Sequence, residues 1–294
     1  MKNHIATYWE QSPPLKGKGK VGSLSWSNSI SEHRFNTVPY WKDYLSADAY
    51  YKKRILEVGC GAGSDLLEYA KMGNLCYGVD ITKKAISITK KRFAVEDRKA
   101  ELITQYNGHT LPFAAESMDM VCSYGVLHHT PNMDHLFSEI YRVLIPGGTF
   151  RCMLYHKDSL LYNYSILYRA YSEFEVAKAA NHPAMTALWS EFRTGCPYTQ
   201  VFSRADIEER LSFFGHVKTW CDHYVYDDYN TGERKKPGLE FENVGFYSRS
   251  SNPIIANFFK RLEADLDWHP AAMKTTRNYL AAKYGWHLLI EATK

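Results

Sequence analysis

The sequence predicts an α/β protein built on a doubly wound, largely parallel sheet. Short apolar runs of strand character alternate with helical patterns between residues 54 and 155. The glycine-rich run Gly59-Cys60-Gly61-Ala62-Gly63 directly follows the first apolar run, and Asp80 ends the second. Alternation at this spacing indicates βαβ units, whose strands run parallel and whose helices cover both faces of the sheet.

Five strands and three helices are expected in this part of the chain. The strands are predicted at 54–58, 74–80, 100–106, 117–123 and 149–155. The helices are predicted at 64–72, 82–93 and 131–144. Thr82 is a candidate N-cap for the second helix, and Pro146-Gly147-Gly148 is a stop signal for the third.

The flanking segments divide the chain further. With 294 residues, 45% of them apolar, the chain suits one large domain with an elaborated cap. Residues 1–53 are rich in Pro, Gly and Ser with interleaved aromatics, and we expect an irregular arm or lid packed over the core at 54–155. We expect a helical, Tyr-rich cap insertion at 156–201. The remaining residues, 202–294, should complete the sheet, with an insertion at about 227–284.

Charge and cysteine usage narrow the class of protein. The net charge is only +4 and the basic runs are scattered, so there is no strong nucleic-acid signal, although a mild positive field suits an anionic acceptor. Six cysteines without a C-x-x-C pair indicate reduced, mostly buried thiols and a cytoplasmic protein. No secretory signal is evident, and no apolar run approaches the roughly 20 residues that span a bilayer.

The glycine run and Asp80 predict a nucleoside-binding site. Ligands of such sheets bind at the carboxyl ends of the strands, where glycines let the backbone approach a ligand and a carboxylate can bind ribose hydroxyls. The third glycine comes one residue early for the dinucleotide pattern G-x-G-x-x-G. The spacing alone therefore leaves the identity of the cofactor open.

Four segments together resemble a known family. ILEVGCGAGSD, YGVDIT, LPFAAESMDMVCSYGVLHHTP and EIYRVLIPGG follow one another in the order found in class I S-adenosylmethionine-dependent methyltransferases. The resemblance is to the type-11 methyltransferase domain of quinone-biosynthesis and small-molecule tailoring enzymes, and it covers about residues 54–155. It implies a Rossmann-like seven-stranded sheet whose last strand is antiparallel. Residues 202–220 resemble the penultimate helix and strand of the family, and 285–294 the final strand.

The resemblance also implies that the cofactor is S-adenosyl-L-methionine, that its product is S-adenosyl-L-homocysteine, and that no metal is required. It further implies which residues bind the cofactor. It assigns Glu57 to the cofactor amino group and Asp80 to the ribose. The other cofactor-binding positions that it implies are Gly59, Cys60 and Gly61 at the methionine end, Ile81, Asn107 and Gly108 around adenine, and Ser123 and Tyr124 beside the methionine moiety. Asn107 stands where the family usually has Asp, so its amide oxygen would replace a carboxylate as acceptor.

Two adjacent histidines follow the fourth predicted strand. A metal site with His135 is disfavoured, because neighbouring side chains point in different directions and no metal-binding spacing is present. The sequence favours a packing and capping role for His128 and His129 beside the cofactor. A role for either as catalytic base stays open, and Tyr124 is a third catalytic candidate.

The acceptor pocket is predicted from residues beyond the core. Tyr164 and Tyr168 share one face of a helix expected at 160–175, where they either line the pocket or pack on a neighbouring element. His156, Arg193 and His223 are further acceptor-site candidates. Arg34 either pairs with the cofactor carboxylate or is a solvated surface residue.

These patterns predict methyl transfer to a small-molecule acceptor at O, N, C or S. An RNA or protein methyltransferase is the first alternative, but the chain lacks the Asn/Asp-Pro-Pro-Tyr run of amino-directed nucleic-acid enzymes. A scaffold protein is a second alternative, although it would not need Glu57, the glycine loop and Asp80 together. A cofactor-using enzyme with other chemistry is the third.

Overall fold

The computed structural model contains the expected sheet with helices on both faces. It describes residues 2–11, 17–38, 40–159, 162–163, 196–222, 256–257, 260–261, 264 and 284–294. The strands are β1 Arg54–Val58, β2 Leu75–Asp80, β3 Leu102–Gln105, β4 Met118–Tyr124, β5 Leu144–Tyr155, β6 His216–Asp222 and β7 His287–Thr293. The helices are α1 Lys2–Gln11, α2 Leu24–Thr37, α3 Trp41–Leu45, α4 Ser64–Lys71, α5 Lys83–Val95, α6 Met133–Val143 and α7 Arg204–Arg210.

The seven strands form one sheet in the order β3-β2-β1-β4-β5-β7-β6. Strands β1 to β5 pair in parallel, whereas β7 lies between β5 and β6 and is antiparallel to both. Helices α6 and α7 contribute Leu136, Phe137 and Ile207 to the core on one face, and α4 and α5 contribute Leu66 and Phe93 on the other. The predicted fold class is confirmed, including the reversed last strand.

The helix cap expected in the core is present, whereas the predicted start of the fifth strand is wrong. The Thr82 side chain accepts a hydrogen bond from the Ala85 backbone N–H and caps α5, as expected. Strand β5 begins at Leu144, immediately after α6 and five residues before the predicted start. Pro146-Gly147-Gly148 therefore lies inside the strand assignment, where the Gly147 N–H donates to the Lys294 carbonyl.

The expectation of an irregular first segment is wrong, because it forms three helices. Helix α2 begins where the Ser23 hydroxyl accepts from the Trp26 N–H, and it buries Trp26, Ile30 and Phe35. Trp41 of α3 is fully buried against Tyr44 and Tyr124. The aromatic residues thus form a helical layer over the sheet, as the arm interpretation requires. None of the described helices combines the length and apolar character needed to cross a bilayer.

The buried Arg92 is one of the residues that join this helical layer to the core. Arg92 of α5 is 0% exposed and donates hydrogen bonds to two elements at once. On α2 it contacts the Ser27 hydroxyl and carbonyl and the Ser31 hydroxyl, at 2.5–3.1 Å. At the glycine loop and the start of α4 it contacts the Ala62 carbonyl at 2.8 Å and the Ser64 hydroxyl at 2.7 Å. Burial lowers the pKa of Arg92 to about 10, and the nearby Glu96 carboxylate opposes the shift.

Arg92→Met is expected to lower the free energy of unfolding by about 3–5 kcal/mol, since removing a buried charged donor leaves its acceptors unpaired. The matched control is Lys91→Met on the exposed side of the same helix, with an expected change within about 0.5 kcal/mol. Urea unfolding followed by circular dichroism measures both. Equal losses in the two variants would contradict the role of Arg92.

Candidate active site

The candidate site lies at one edge of the sheet. The carboxyl ends of β1, β2, β4 and β5 meet there because these strands are parallel. Strand β7 is antiparallel, so its first residue lies at the same edge, where His287 pairs with Tyr155. The edge therefore has a β1–β2 half with the glycine loop and a β4–β5–β7 half with the two histidines.

The glycine loop is held tightly by its neighbours. The N–H groups of Gly59 and Cys60 donate to the Val79 carbonyl at 2.8 and 3.0 Å. Gly59 has a φ of 77°, and a Cβ built on it would lie 2.5 Å from the Cγ atoms of Val126. Only glycine fits this position, so the loop after β1 and the turn after β4 pack directly on each other.

Asp80 lies where a ribose carboxylate is expected. It accepts hydrogen bonds from the Gly61 N–H at 3.0 Å, the Thr82 N–H at 2.9 Å and the Thr82 hydroxyl at 2.8 Å. Burial raises the pKa of the Asp80 carboxyl, and these hydrogen bonds oppose the shift. A carboxylate offers about four acceptor positions, so an acceptor position remains for a ligand hydroxyl.

Glu57 carries an unpaired polar atom beside the loop. Its side chain is 4% exposed, and no described group forms a hydrogen bond with its Oε2 atom. Burial raises the pKa of the Glu57 carboxyl well above its usual range, the Asp65 carboxylate raises it further, and the Arg34 guanidinium opposes both. A buried carboxylate oxygen without a partner fits a ligand ammonium group. This observation supports binding of the S-adenosylmethionine amino group at Glu57.

Arg34 is bound to the protein rather than solvated. Its guanidinium contacts the Asp65 carboxylate at 2.7 Å and lies 4.5 Å over the Trp41 ring. The Trp41 indole N–H also donates to Asp65, at 3.1 Å. This ion pair joins α2 and α3 to the first turn of α4, next to Glu57.

Three predicted cofactor residues use their side chains within the fold. The Cys60 thiol is buried and lies 3.9 Å from the Thr89 hydroxyl. The Ser123 hydroxyl donates to the Val58 carbonyl at 2.9 Å, and the Tyr124 hydroxyl lies 3.1 Å from the Tyr69 hydroxyl. Cofactor contacts at these positions, and in the Gly59–Gly61 loop, would therefore come from the backbone. Burial raises the pKa of Tyr124 well above its usual range, which disfavours it as a base.

The predicted adenine positions lie together after β2 and β3. A Cβ built on Gly108 would lie 3.3 Å from the Ile81 side chain, so these residues are neighbours. The Asn107 amide oxygen accepts from the backbone N–H groups of His109 and Thr110, at 2.8 and 2.9 Å. Because this oxygen already has two donors, the acceptor role predicted for it toward adenine conflicts with the turn that it forms.

Helix α1 spans from one half of the edge to the other. The Glu10 carboxylate accepts from the backbone N–H groups of Lys83 and Lys84, at the start of α5, at 2.9 and 3.1 Å. The Trp9 ring lies 5.0 Å from the His129 ring. A carboxylate at a helix N-terminus is favoured by the helix dipole and by the unpaired N–H groups there. The N-terminal segment thus covers part of the predicted cofactor edge.

The two histidines differ in their surroundings, although both are buried. The His129 Nδ1 atom lies 3.1 Å from the Tyr198 carbonyl and 3.1 Å from the Thr199 hydroxyl. Burial lowers the pKa of His129 to about 4. His128 is 0% exposed, and neither of its ring nitrogens has a hydrogen-bond partner in the described part of the chain. Burial lowers the pKa of His128 well below its usual range.

An aromatic stack continues from His128 along the edge. The rings of His128 and Tyr155 are stacked at 3.8 Å, and those of Tyr155 and Trp286 at 4.3 Å. Tyr155, Trp286 and His287 were not among the residues that the sequence predicted for the site. The rule that ligands meet strand ends could have found Tyr155, and the reversed last strand could have placed Trp286 and His287 at the same edge.

Of the predicted acceptor residues, His156 is the one within the described part of the chain. His156 is 2% exposed, with its Nδ1 atom 3.0 Å from the Gly285 carbonyl and 3.4 Å from the Cys221 thiol, so it joins β5, β6 and the start of β7. Tyr164, Tyr168, Arg193 and His223 lie outside the described residues. Within the described residues, no group of three His, Cys, Asp or Glu side chains is arranged to hold a metal ion.

Comparisons with known proteins agree with this fold. Residues 56–152 match the family described as "Methyltransferase domain". The chain is 32% identical over 121 residues to demethylmenaquinone methyltransferase of Symbiobacterium thermophilum, covering 38% of this chain and 47% of that protein. It is 34% identical over 98 residues to sterol 4-C-methyltransferase strm-1 of Caenorhabditis elegans, covering 32% and 29%.

A solved structure extends the similarity across the chain. Phosphoethanolamine N-methyltransferase 2 of Haemonchus contortus, in complex with phosphomonomethylethanolamine and S-adenosylhomocysteine, aligns with a TM-score of 0.54 and 17% identity. The alignment covers 99% of this chain and 60% of that one, and at this identity it shows the fold alone. The chain spans less than half the length of the two curated relatives.

The glycine loop, the β2 carboxylate and the reversed last strand define the class I S-adenosylmethionine-dependent fold. Residues 56–152 are similar in sequence to the methyltransferase-domain family. Over this segment the chain is therefore similar to methyltransferases, and the solved structure shares its fold.

Glu57→Gln is expected to make the protein more stable at neutral pH and to weaken cofactor binding. The pKa of Glu57 is higher in the folded protein than in the unfolded chain. The free energy of unfolding of the wild type therefore falls as the pH rises from the ordinary carboxyl pKa to the pKa in the folded protein, and it stays lower at higher pH. The variant should lack this decrease. Urea unfolding between about pH 4 and about pH 8 measures it.

The same variant should bind S-adenosylmethionine at least about 10-fold more weakly by calorimetry, since a charged hydrogen bond is lost. Glu68→Gln is the matched control on α4, where Glu68 contacts Lys71 at 2.8 Å instead of facing the loop. It should retain wild-type cofactor affinity. An unchanged affinity in Glu57→Gln would contradict the assignment.

Proposed function

We propose that this protein transfers a methyl group from S-adenosylmethionine to a small-molecule acceptor. The observation that carries the proposal is the unpaired, buried Oε2 atom of Glu57 beside the glycine loop of the matched domain. A scaffold that does not bind the cofactor would gain nothing from a buried unsatisfied carboxylate, which costs about 1–3 kcal/mol or more.

The cofactor would bind along the β1–β2 half of the edge. Glu57 would hold the amino group, the Gly59–Gly61 backbone would pass the methionine end, and Asp80 would accept from the ribose. Ile81 and Gly108 would flank adenine. The Arg34–Asp65 ion pair, 2.7 Å long, supports Glu57 from the arm side.

The cofactor supplies a sulfonium methyl group, which is already an activated electrophile. The task of the protein is to hold the acceptor atom in line with that methyl at about 3 Å, and such positioning can contribute roughly 7–11 kcal/mol. Helix α1 and the aromatic stack of His128, Tyr155 and Trp286 lie at this edge, where they would exclude water from a bound cofactor. Exclusion of water strengthens electrostatic interactions in the site.

A small acceptor is favoured over RNA or protein by the closed character of the β4–β5–β7 half. His128, His129 and Trp286 are each at most 7% exposed, so these three side chains offer little surface to a macromolecule. The two curated relatives are named for quinone and sterol methylation, which are small-molecule reactions. The six cysteines are all buried and none forms a disulfide, which supports our proposal of a cytoplasmic enzyme.

Asp80→Asn is expected to weaken S-adenosylmethionine binding by roughly 10- to 150-fold, because hydrogen bonds to a charged acceptor contribute about 1.5–3 kcal/mol. Isothermal titration calorimetry measures the dissociation constant. Asp119→Asn is the matched control at the opposite end of β4, where Asp119 accepts from the Arg54 N–H at 2.9 Å. Loss of binding in the control, or wild-type affinity in Asp80→Asn, would refute the ribose role.

The acceptor class is tested by release of S-adenosylhomocysteine. The purified protein is incubated with S-adenosylmethionine and either a metabolite pool or an RNA pool from the same cells. Turnover with metabolites and none above background with RNA is the expected result. Turnover with RNA alone would replace the small-molecule proposal by the RNA alternative.

A further inference from the structure

The loop that precedes α2 presents two aliphatic side chains to solvent. Val21 is 63% exposed, and Leu24, the first residue of α2, is 54% exposed. The loop itself is held on α2, because the Lys18 N–H donates to the Ser29 hydroxyl at 2.7 Å. Single exposed apolar residues are common on protein surfaces, so the surroundings of these two decide what they could contact.

Helix α5 lies directly beside this loop. Trp26 and Ile30 of α2 pack with Ile88 of α5. A Cβ built on Gly17, at the start of the loop, would lie 2.5 Å from the Trp26 ring and 2.8 Å from the Ile30 side chain. The loop therefore folds over the contact between α2 and α5, and its basic residues become neighbours of the basic residues of α5.

Six exposed lysines surround this contact, and we call them the basic face: Lys18, Lys20, Lys83, Lys84, Lys90 and Lys91. The four on α5 fall within about a third of the helix circumference, at about 100° per residue. Among the described residues, no ion pair includes any of the six lysines. Two basic runs that are separate in the sequence therefore form one surface in the fold.

Few acidic side chains offset the charge of the basic face. Helix α5 itself contains no Asp or Glu. The Glu10 carboxylate of α1 accepts from the backbone N–H groups of Lys83 and Lys84, at 2.9 and 3.1 Å. Glu32 is exposed on α2, about two turns beyond Leu24. Because positive charge dominates and aliphatic side chains lie within it, the face is complementary to a surface that is both anionic and apolar.

We propose that the basic face docks this protein on the surface of a membrane that contains anionic phospholipids. The lysine ammonium groups would lie at the level of the lipid phosphates, and Val21 and Leu24 would insert between the headgroups. Clusters of about four to eight basic residues are typical of proteins that bind anionic lipids, and apolar side chains beside them strengthen such contacts.

The proposed docking would bring the candidate site close to the lipid. Thr82 caps α5 immediately after Asp80, and Lys83 and Lys84 follow directly. One end of the basic face therefore borders the edge of the sheet where the cofactor would bind. The docking proposal goes beyond the proposed function and does not depend on it, because lipid binding requires neither cofactor nor acceptor.

A lipid surface fits the basic face better than a nucleic acid does. Proteins that bind single strands place aromatic side chains where bases stack, and arginine is the usual partner for two phosphate oxygens at once. In the two helices that form the face, Trp26 is 4% exposed and Arg92 is 0% exposed. The side chains that reach solvent are lysines and aliphatic residues, which suit headgroup phosphates and the apolar layer below them.

Sedimentation of the full chain with lipid vesicles tests the proposal. Vesicles of phosphatidylcholine with about 30% phosphatidylglycerol should bind the protein at least about 10-fold more tightly than vesicles of phosphatidylcholine alone. Raising the salt from about 0.1 M to about 0.5 M should release most of the bound protein, because salt screens exposed charges. Equal binding to both kinds of vesicle, or binding to neither, would overturn the proposal.

Two double variants locate the contact. Lys18→Gln with Lys20→Gln should weaken binding to the anionic vesicles by roughly 10- to 30-fold, since each basic residue at such a surface contributes about 5-fold. Val21→Ser with Leu24→Ser should weaken it by about 5-fold or more, because less apolar surface is buried. All four positions are exposed, so Tm should stay within about 2 °C of the wild-type value.

The matched control lies at the opposite edge of the sheet. Lys52→Gln with Lys99→Gln removes the same charge before β1 and β3, and Tyr51→Ser removes a side chain from a residue that is 65% exposed. Both control variants should bind the anionic vesicles as the wild type does. Equal losses in the control and in the basic-face variants would show that general positive charge, rather than this face, causes the binding.

Competition with RNA separates the two classes of anionic partner. A total RNA pool, added at the same phosphate concentration as the anionic lipid, should leave most of the protein on the vesicles. Complete displacement by RNA would replace the lipid surface with a nucleic acid as the partner. Calorimetry should give wild-type affinity for S-adenosylmethionine in the basic-face variants, so a failure of lipid binding is distinguished from a failure of the proposed function.

Discussion

The buried guanidinium of Arg92 is the interaction on which the remainder of the site depends. It binds the serines of α2, the Ala62 carbonyl in the glycine loop and the Ser64 hydroxyl at the start of α4. The loop that would meet the cofactor is therefore not a free turn between β1 and α4. Hydrogen bonds from Arg92 of α5, which also binds α2 of the helical arm, fix the conformation of the loop. Packing and hydrogen bonds of this kind hold functional groups in place.

Among the described residues, the buried side-chain N and O atoms without a hydrogen-bond partner belong to only two side chains, Glu57 and His128. Glu57 lies on the β1–β2 half of the edge and His128 on the β4–β5–β7 half. Elsewhere in the described part of the chain, buried polar side chains have partners. The two positions lie in different halves of the edge, and Glu57 is the one that we propose to hold the cationic amino group of the cofactor. Local violations of this kind are expected where function, rather than folding, selects the residue.

The sequence predicted the sheet well because its signals are local. Thr82 begins α5 and Asp80 ends β2 through contacts between residues close in sequence. The prediction of an irregular arm was wrong because serine-rich sequence is typical of loops when no distant contact is considered. Ser27 and Ser31 lie in a helix because Arg92, more than 60 residues away, binds them. Glu10 is another such case, since it caps a helix 73 residues later. Contacts of this kind depend on tertiary packing and have no local pattern.

The close contact of Val126 with Gly59 has a consequence for attempts to redesign this protein. His128 follows Val126 by two positions. Gly59, on which Val126 packs, begins the loop proposed to hold the cofactor. A larger or differently branched side chain at 126 would push on a glycine that has no room to move, because a single added carbon there would already lie 2.5 Å away. A substitution at position 126 would therefore disturb the loop that begins at Gly59 as well as the turn that carries His128. Libraries intended to broaden the substrate range should hold Val126 constant.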